Sequence, residues 1–181
     1  MERKYARRRY LASVEFRNLI EEIGPYIEAL PHALIGGLAV SYYANPPVTV
    51  DVDFLVEASI GEIVNQIRPL REKGWSAGEM IFTDRRKGFP RRGISLRRRP
   101  RMIVDLLATG EDEYLQSIVH RAKLTEVQDG VPLLVISPED LIVLKSLAGR
   151  DKDVEDVVSL TSTLGEKLDR EYIDQKIDEL M

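Results

Sequence analysis

The chain has 181 residues, a formal net charge of −4 and no cysteine, a length that fits one domain, or one domain with a helical extension. The missing cysteine excludes disulfides, thiolate metal sites and a cysteine nucleophile, and two histidines are too few for a His-rich zinc site. No apolar run is long enough to span a membrane, and residues 1–4 lack the apolar segment of a signal peptide, so a cytoplasmic protein is expected.

The positive charge is concentrated in one segment. Residues 85–101, called the basic block below, contain eight arginines, one lysine and no acidic residue, which gives a local charge of +9. Such a block often marks contact with nucleic acid or another polyanion. The candidate polyanion-binding residues are Arg85, Arg86, Arg91, Arg92, Arg97, Arg98 and Arg99. The alternative is that these arginines form salt bridges with acidic helices of the same chain.

Apolar periodicity and turn residues predict a chain of alternating helices and strands. Helices are predicted over residues 13–30, 59–73, 111–122 and 169–180, in a short segment after Gly36-Gly37, and from about residues 137 and 153. Strands are predicted over residues 32–35, 79–83, 93–96, 101–108, 124–127 and 131–136, and in the segment that carries Asp51 and Asp53. Ser59 and Glu62 form a capping-box pattern, and Ser137-Pro138 is a typical helix start.

The most informative stretch contains two aspartates two residues apart. In a strand, Thr49, Asp51 and Asp53 share one face, while Val52 and Phe54 lie on the opposite, apolar face. Two carboxylates this close destabilise each other unless a cation compensates them, and Mg²⁺ prefers one or two carboxylates together with substrate phosphates. A solvated surface strand with no function is the alternative. The upstream Gly36-Gly37 turn favours a site, because free N–H groups at a helix start suit a phosphate.

Two further charged residues lie in otherwise apolar elements. Residues 101–108 are apolar on both faces, which predicts a central strand that is covered on both sides. Asp105 needs a partner in such a strand and supplies a third carboxylate. Lys145 lies in an almost fully apolar helix and should reach a nearby anion, although a surface lysine that extends its ammonium group into water is an equal alternative. Trp75 is predicted to pack in the core.

The combination of Gly36-Gly37, Asp51-Val52-Asp53 and Val104-Asp105-Leu106 resembles the signature of the DNA polymerase β-like nucleotidyltransferase superfamily. Residues 137–145 with the charged residues that follow are similar to a small prokaryotic branch, which includes the nucleotidyltransferase-like proteins of abortive-infection and toxin–antitoxin systems. Those charged residues are Arg150, Lys152, Asp153 and Asp156. The resemblance covers roughly residues 30–160. It implies an α+β fold with a mixed β-sheet flanked by helices, in which residues 1–136 form the core and residues 137–181 a C-terminal helical region packed on it.

The resemblance also implies a reaction. A nucleoside monophosphate would move from a nucleoside triphosphate (NTP) to a hydroxyl of RNA, such as tRNA, a protein or a small molecule, with release of pyrophosphate. Asp51, Asp53 and Asp105 would bind Mg²⁺ or Mn²⁺, and Gly36-Gly37 would hold the triphosphate. Lys145 and Arg150 would neutralise phosphate charge in the transition state.

The sequence departs from the superfamily pattern at two places. Many members have Gly-Ser at the position of Gly36-Gly37, and relatives often have an arginine where this chain has Pro46-Pro47-Val48. These departures and the basic block motivate an alternative of a different class. In that alternative, the same fold is a binding module with little or no activity that contacts RNA or a partner protein, as in a toxin–antitoxin pair.

Overall fold

A computed structural model describes residues 13–44, 51–82, 91–98, 102–127 and 130–181. The predictions made for Thr49, Arg85, Arg86 and Arg99 lie outside these residues. Seven α-helices and seven strands are assigned within the described part of the chain. The helices are α1 (Ser13–Ile27), α2 (Gly36–Tyr43), α3 (Ile60–Ile67), α4 (Glu113–Arg121), α5 (Pro138–Ala148), α6 (Asp151–Leu164) and α7 (Arg170–Leu180). The strands are β1 (His32–Ile35), β2 (Asp51–Val56), β3 (Ser76–Phe82), β4 (Arg91–Arg98), β5 (Met102–Ala108), β6 (Lys123–Glu126) and β7 (Pro132–Val135).

All of these strands join one mixed sheet in the order β3-β4-β5-β2-β1-β7-β6. The β2–β5 and β1–β7 pairs are parallel, and the other neighbouring pairs are antiparallel. The predicted α+β architecture with a mixed sheet is therefore confirmed. β2 and β5 lie in the middle of the sheet, so the strands that carry the aspartates are held by neighbours on both edges.

Local sequence signals account for several element ends. The backbone N–H of Glu62 donates to Ser59 Oγ at 3.3 Å and the Ser59 N–H donates to Glu62 Oε2 at 2.8 Å, which is the predicted capping box at the start of α3. Ser137 Oγ accepts from the N–H of Asp140 at the start of α5. A short 3₁₀-helix, Arg68–Lys73, continues α3 and ends at Gly74, whose φ is +83°.

One face of the sheet is closed by a hydrophobic core. Val52 and Phe54 of β2 and Val104 and Leu106 of β5 are buried on this face, against which α3 packs. Trp75 is only 3% exposed, so its predicted packing role is confirmed. The burial of these apolar side chains supplies the main driving force for folding.

The opposite face of β5 is not covered as predicted. Ile103, Asp105 and Leu107 are partly exposed, whereas Val104 and Leu106 are fully buried. The prediction that both faces are covered is therefore wrong for the face that carries Asp105. Closing a layer of apolar side chains over several carboxylates would remove their hydration, which is energetically unfavourable.

Asp140 connects the C-terminal helices to the preceding part of the chain. Its side chain is 1% exposed and accepts hydrogen bonds from Tyr114 of α4 at 3.1 Å and Tyr172 of α7 at 2.7 Å. Arg121 also donates to it, at 2.8 Å, and forms an ion pair with it. Among the described helices, none combines the length and the apolar composition that a membrane crossing requires.

Candidate active site

The register of the sheet places two aspartates side by side. Asp53 of β2 lies opposite Asp105 of the parallel strand β5, and neighbouring strands are about 4.8 Å apart. Ile35 of β1 lies opposite Asp53, and Ser95 of β4 lies opposite Asp105. Asp51 is two residues before Asp53 and therefore shares its face. We call Asp51, Asp53 and Asp105 the acid row.

The acid row does not form a closed metal cage. Among the described residues, no group of three or more His, Asp or Glu side chains is arranged to hold a metal ion as it stands. The row nevertheless fits a divalent cation. Asp105 Oδ1 is buried and accepts no hydrogen bond from any described residue, and carboxylate oxygens are the ligands that Mg²⁺ prefers.

The electrostatics of the acid row reflect burial and mutual repulsion. Burial, followed by the charges of Asp105 and Asp51, raises the pKa of Asp53 to about 6. Burial and the charge of Asp105 also raise the pKa of Asp51. The positive charges of Lys145 and Lys152 oppose the shift at Asp53. The uncompensated negative charge of the row makes it a favourable place for a cation.

The predicted glycine turn lies in contact with the acid row. Gly36 is the first residue of α2, has a φ of +69°, and packs so closely on Asp53 that an added Cβ would overlap the carboxylate and lie 2.7 Å from its Cγ. Position 36 therefore requires glycine for both its conformation and its contact. No side chain caps α2, which leaves its first N–H groups available for an anion.

Lys145 is buried and ion-paired. Its side chain is 9% exposed, and Nζ lies 2.6 Å from Asp156 Oδ2 and 3.2 Å from Asp153 Oδ1. The prediction that this lysine reaches an anion is confirmed, and the surface-lysine alternative is wrong. Its charge opposes the rise in the pKa of Asp53 that burial and the neighbouring aspartates cause, as expected of a cation close to the acid row.

Arg150 is held by the same aspartate. Its Nε donates to Asp153 Oδ2 at 2.6 Å and its Nη2 donates to Oδ1 at 3.1 Å, the two-pronged geometry of a strong arginine–carboxylate pair. This hydrogen bonding raises the pKa of Arg150. Asp153 is fully buried and thus connects two candidate phosphate-binding cations. Sequence reasoning assigned no role at the site to Asp153 or Asp156, because their role depends on contacts with Lys145 and Arg150 that only the fold brings together.

Two further cations near the acid row, Lys152 and Arg97, were not predicted from the sequence to belong to the site. Lys152 lies in the first turn of α6, and its charge opposes the rise in the pKa of both Asp51 and Asp53. Arg97 shares the face of Ser95, to whose Oγ it donates at 3.3 Å, and its charge lowers the pKa of Asp51. The period-two alternation of β4 indicates that Arg97 shares a face with Ser95. It does not indicate that this is also the face of the acid row, because that depends on the register between β4 and β5.

The described part of the basic block faces in two directions. Arg92 forms an ion pair with Glu79 of β3, and Arg98 forms one with Glu22 of α1 while its guanidinium lies 4.7 Å from the Trp75 ring centroid. Glutamates of the same chain therefore engage both arginines, but only the partner of Arg98 lies on a helix, as the salt-bridge alternative predicts. Arg97, between them in the sequence, lies on the face of the acid row. Arg91 is partly buried at the start of β4.

The mixed sheet, the glycine turn at the start of α2 and the acid row on β2 and β5 together define a nucleotidyltransferase fold of the DNA polymerase β-like type. Antibiotic-resistance factor ANT(2'')-Ia is similar in structure, with a TM-score of 0.51 and 15% identity over 92% of this chain and 91% of that chain. Lincosamide antibiotic adenylyltransferase LnuA, in its lincomycin-bound structure, gives a TM-score of 0.51 and 15% identity over 83% of this chain and 94% of that chain.

The chain belongs to the family described as nucleotidyl transferase of unknown function (DUF2204), whose model matches residues 26–180. The nucleotidyltransferase class indicated by the sequence motifs is thereby confirmed, and the protein is a transferase enzyme. No curated protein matches the sequence.

Proposed function

We propose that this protein is a nucleotidyltransferase dependent on a divalent metal ion, which moves a nucleoside monophosphate from an NTP to an acceptor hydroxyl and releases pyrophosphate. One observation carries this proposal. Asp53 lies opposite Asp105 in adjacent parallel strands, while the start of α2 at Gly36 touches the Asp53 carboxylate. Carboxylates and a helix start that suits phosphate are thus placed next to each other.

Asp51, Asp53 and Asp105 would hold Mg²⁺ or Mn²⁺. When bound, such an ion supplies positive charge to phosphate oxygens and lowers the pKa of the acceptor hydroxyl. The buried, unpartnered Oδ1 of Asp105 supports its place among the ligands. Burial and the charges of Asp105 and Asp51 raise the pKa of Asp53, and a bound cation would favour its ionised form.

The residues around the row would bind and orient the triphosphate. The first N–H groups of α2 can donate to phosphate oxygens, because no side chain caps this helix. Asp153 holds Lys145 and Arg150 in place, and these two cations add positive charge beside the row. In the reaction, the acceptor oxygen bonds to the α-phosphorus while the bond to the bridging oxygen of the β-phosphate breaks. The hydroxyl proton passes to Asp105 or solvent, and pyrophosphate leaves.

The test is a transfer assay with α-labelled NTPs. The protein is incubated with Mg²⁺ or Mn²⁺ and with tRNA, proteins or hydroxyl-bearing small molecules. The small molecules include lincosamide antibiotics, the acceptor class in the name of LnuA. We expect label transfer that chelation abolishes and that Asp51→Ala and Asp53→Ala each reduce by on the order of 10³-fold or more. Asp174→Ala, on the exposed surface of α7, is the matched control. Transfer that persists in both acid-row variants would refute the proposed site.

The alternative function is a binding module without activity that contacts RNA or a partner protein through the basic block. Arg97 favours it, because this exposed arginine is not among those that the glutamates of the same chain engage. In that case NTP and Mg²⁺ would not raise the melting temperature, whereas RNA affinity would fall steeply with salt. Label transfer by the wild-type protein would exclude this alternative.

A further inference from the structure

The end of α5 and the start of α6 carry three cations, Lys145, Arg150 and Lys152, which differ in how they are neutralised. Lys145 is paired with Asp153 and Asp156, and Arg150 is paired with Asp153. Lys152 is exposed and forms no ion pair or hydrogen bond with any residue that the structure describes. Of these three side chains, Lys152 is therefore the one whose ammonium group keeps all its donors for a ligand.

The position of Lys152 does not serve the stability of its own helix. Arg150 is the N-cap of α6, so Lys152 lies in the first turn, where the helix dipole disfavours positive charge. Asp151 and Asp153, the acidic residues of the same turn, are the type that this position favours. The positive charge of Lys152 between them therefore does not stabilise α6.

The backbone around Lys152 is fixed with respect to the acid row. The adjacent Asp153 is fully buried and bonded to both Lys145 and Arg150. α6 also packs against α2, the helix whose first residue contacts Asp53. Lys152 thus lies in the first turn of a helix that packs on α2, whose first residue contacts Asp53, and its charge opposes the rise in the pKa of Asp51 and Asp53.

We infer that Lys152 binds the β- and γ-phosphates of the NTP and remains bound to them as pyrophosphate leaves. This inference rests on the proposed function. As the bond between the α-phosphorus and the bridging oxygen breaks, negative charge develops on the departing pyrophosphate, and the Lys152 ammonium neutralises part of it. The ammonium group of Lys145, by contrast, is already shared between Asp153 and Asp156.

The test compares Lys152→Ala and Lys152→Arg with Lys167→Ala. Lys167 is also exposed but follows the other end of α6, about 20 Å away at 1.5 Å per residue. Two quantities are measured, the calorimetric affinity for inorganic pyrophosphate in the presence of Mg²⁺ and kcat/KM for the NTP. We expect Lys152→Ala to lower each by about 10-fold or more, because a charge-assisted contact is lost. Lys152→Arg should stay within about threefold of wild type, since it retains the charge.

The two readouts separate this inference from the proposed function. Wild-type protein that transfers no nucleotide but binds pyrophosphate through Lys152 would support the binding site and refute the enzymatic proposal. Wild-type protein that transfers nucleotide, with Lys152→Ala behaving like Lys167→Ala in both measurements, would overturn the inference and leave the enzyme standing. Melting temperatures of all variants show whether each is folded, and Lys152→Gln replaces Lys152→Ala if that variant does not fold.

Discussion

The backbone of Gly36 lies directly against the carboxylate of Asp53. This contact joins the start of α2 to the acid row, and it leaves no space for a side chain at position 36. The glycine in the sequence motif therefore has a steric reason. The start of α2 can lie this close to the Asp53 carboxylate only if the residue at position 36 has no side chain.

We predict that Gly36→Ala destabilises the protein more than the positive φ alone requires. An alanine at φ +69° is strained, and its Cβ would also overlap Asp53. Gly74→Ala is the matched control, because Gly74 has a φ of +83° and no atom within 4 Å of an added Cβ. We expect Gly74→Ala to lower the free energy of unfolding by about 1 kcal/mol and Gly36→Ala by roughly 3 kcal/mol or more, as measured by urea denaturation. Equal losses would contradict the close contact.

Asp53→Asn should stabilise the metal-free protein at neutral pH while abolishing transfer. The pKa of Asp53 is raised from 3.8 to about 6, so the contribution of this group to stability is fully present below pH 3.8 and is lost as the pH rises through 6. Above that pH the ionised carboxylate lowers the free energy of unfolding by up to about 3 kcal/mol, which asparagine would restore.

The measurement is urea denaturation of wild type and Asp53→Asn with chelator present, from pH 4.5 to pH 8. The advantage of the variant should grow with pH and level off above about pH 7. Asp174→Asn, on the exposed surface of α7, serves as the control and should not reproduce this gain. A constant difference across the pH range would show that burial and the neighbouring carboxylates do not disfavour the ionised form of Asp53.

Lys145→Met is expected to destabilise the protein as well as reduce its activity. The substitution leaves Asp153 and Asp156 without the ammonium group that lies 3.2 and 2.6 Å from them. Removing one member of a buried ion pair typically lowers the free energy of unfolding by about 3–5 kcal/mol, because a charge remains buried without a partner. Lys123→Met, at an exposed position of β6, is the control and should cost less than about 0.5 kcal/mol.

A double variant tests this explanation. Asp153 keeps its pair with Arg150 in Lys145→Met, whereas Asp156 loses its ion pair. Combining Lys145→Met with Asp156→Asn removes that uncompensated charge and should recover part of the lost stability. If the double variant is no more stable than Lys145→Met alone, the destabilisation does not come from uncompensated charge.

Arg92→Ala and Arg98→Ala should differ in their effect on stability although both remove an ion pair. Arg98 contacts both Glu22 and the ring of the buried Trp75, and we expect its loss to lower the free energy of unfolding by about 1–2 kcal/mol. The Arg92–Glu79 pair is about half exposed on both sides, so its loss should cost at most about 0.5 kcal/mol. Thermal or urea denaturation of both variants provides the comparison, and equal costs would contradict the packed role of Arg98.

If the basic block contacts a polyanion, Arg97→Ala should weaken RNA binding without the loss of stability predicted for Arg98→Ala. Arg97 lies on the face of the acid row, whereas glutamates of the same chain engage Arg92 and Arg98. We expect Arg97→Ala to reduce the slope of log affinity against log salt by about one, and Arg92→Ala to leave it unchanged. If the slope is the same in all variants, Arg97 does not contact the RNA.

Much of the local structure could be predicted because it depends on neighbours in the sequence. The capping box of Ser59 and Glu62 requires residues three apart, and the period-two pattern around Asp51 and Asp53 depends on strand geometry. The extent of burial was harder to predict. The apolar composition of β5 indicated a covered strand, yet the face of Asp105 stays partly open, because composition does not reveal which face other elements will cover.

The sequence by itself determined the residue types and most elements of the site: a glycine turn, two spaced aspartates, a third on a later strand and a lysine within an apolar helix. Only the tertiary structure decided that Asp53 faces Asp105, that Gly36 touches Asp53, that Lys145 is paired with Asp153 and Asp156, and that Lys152 is not paired in this way. The physical reason is that a strand pattern specifies which residues share a face, whereas the register between distant strands and the packing of α6 on α2 follow from the whole core.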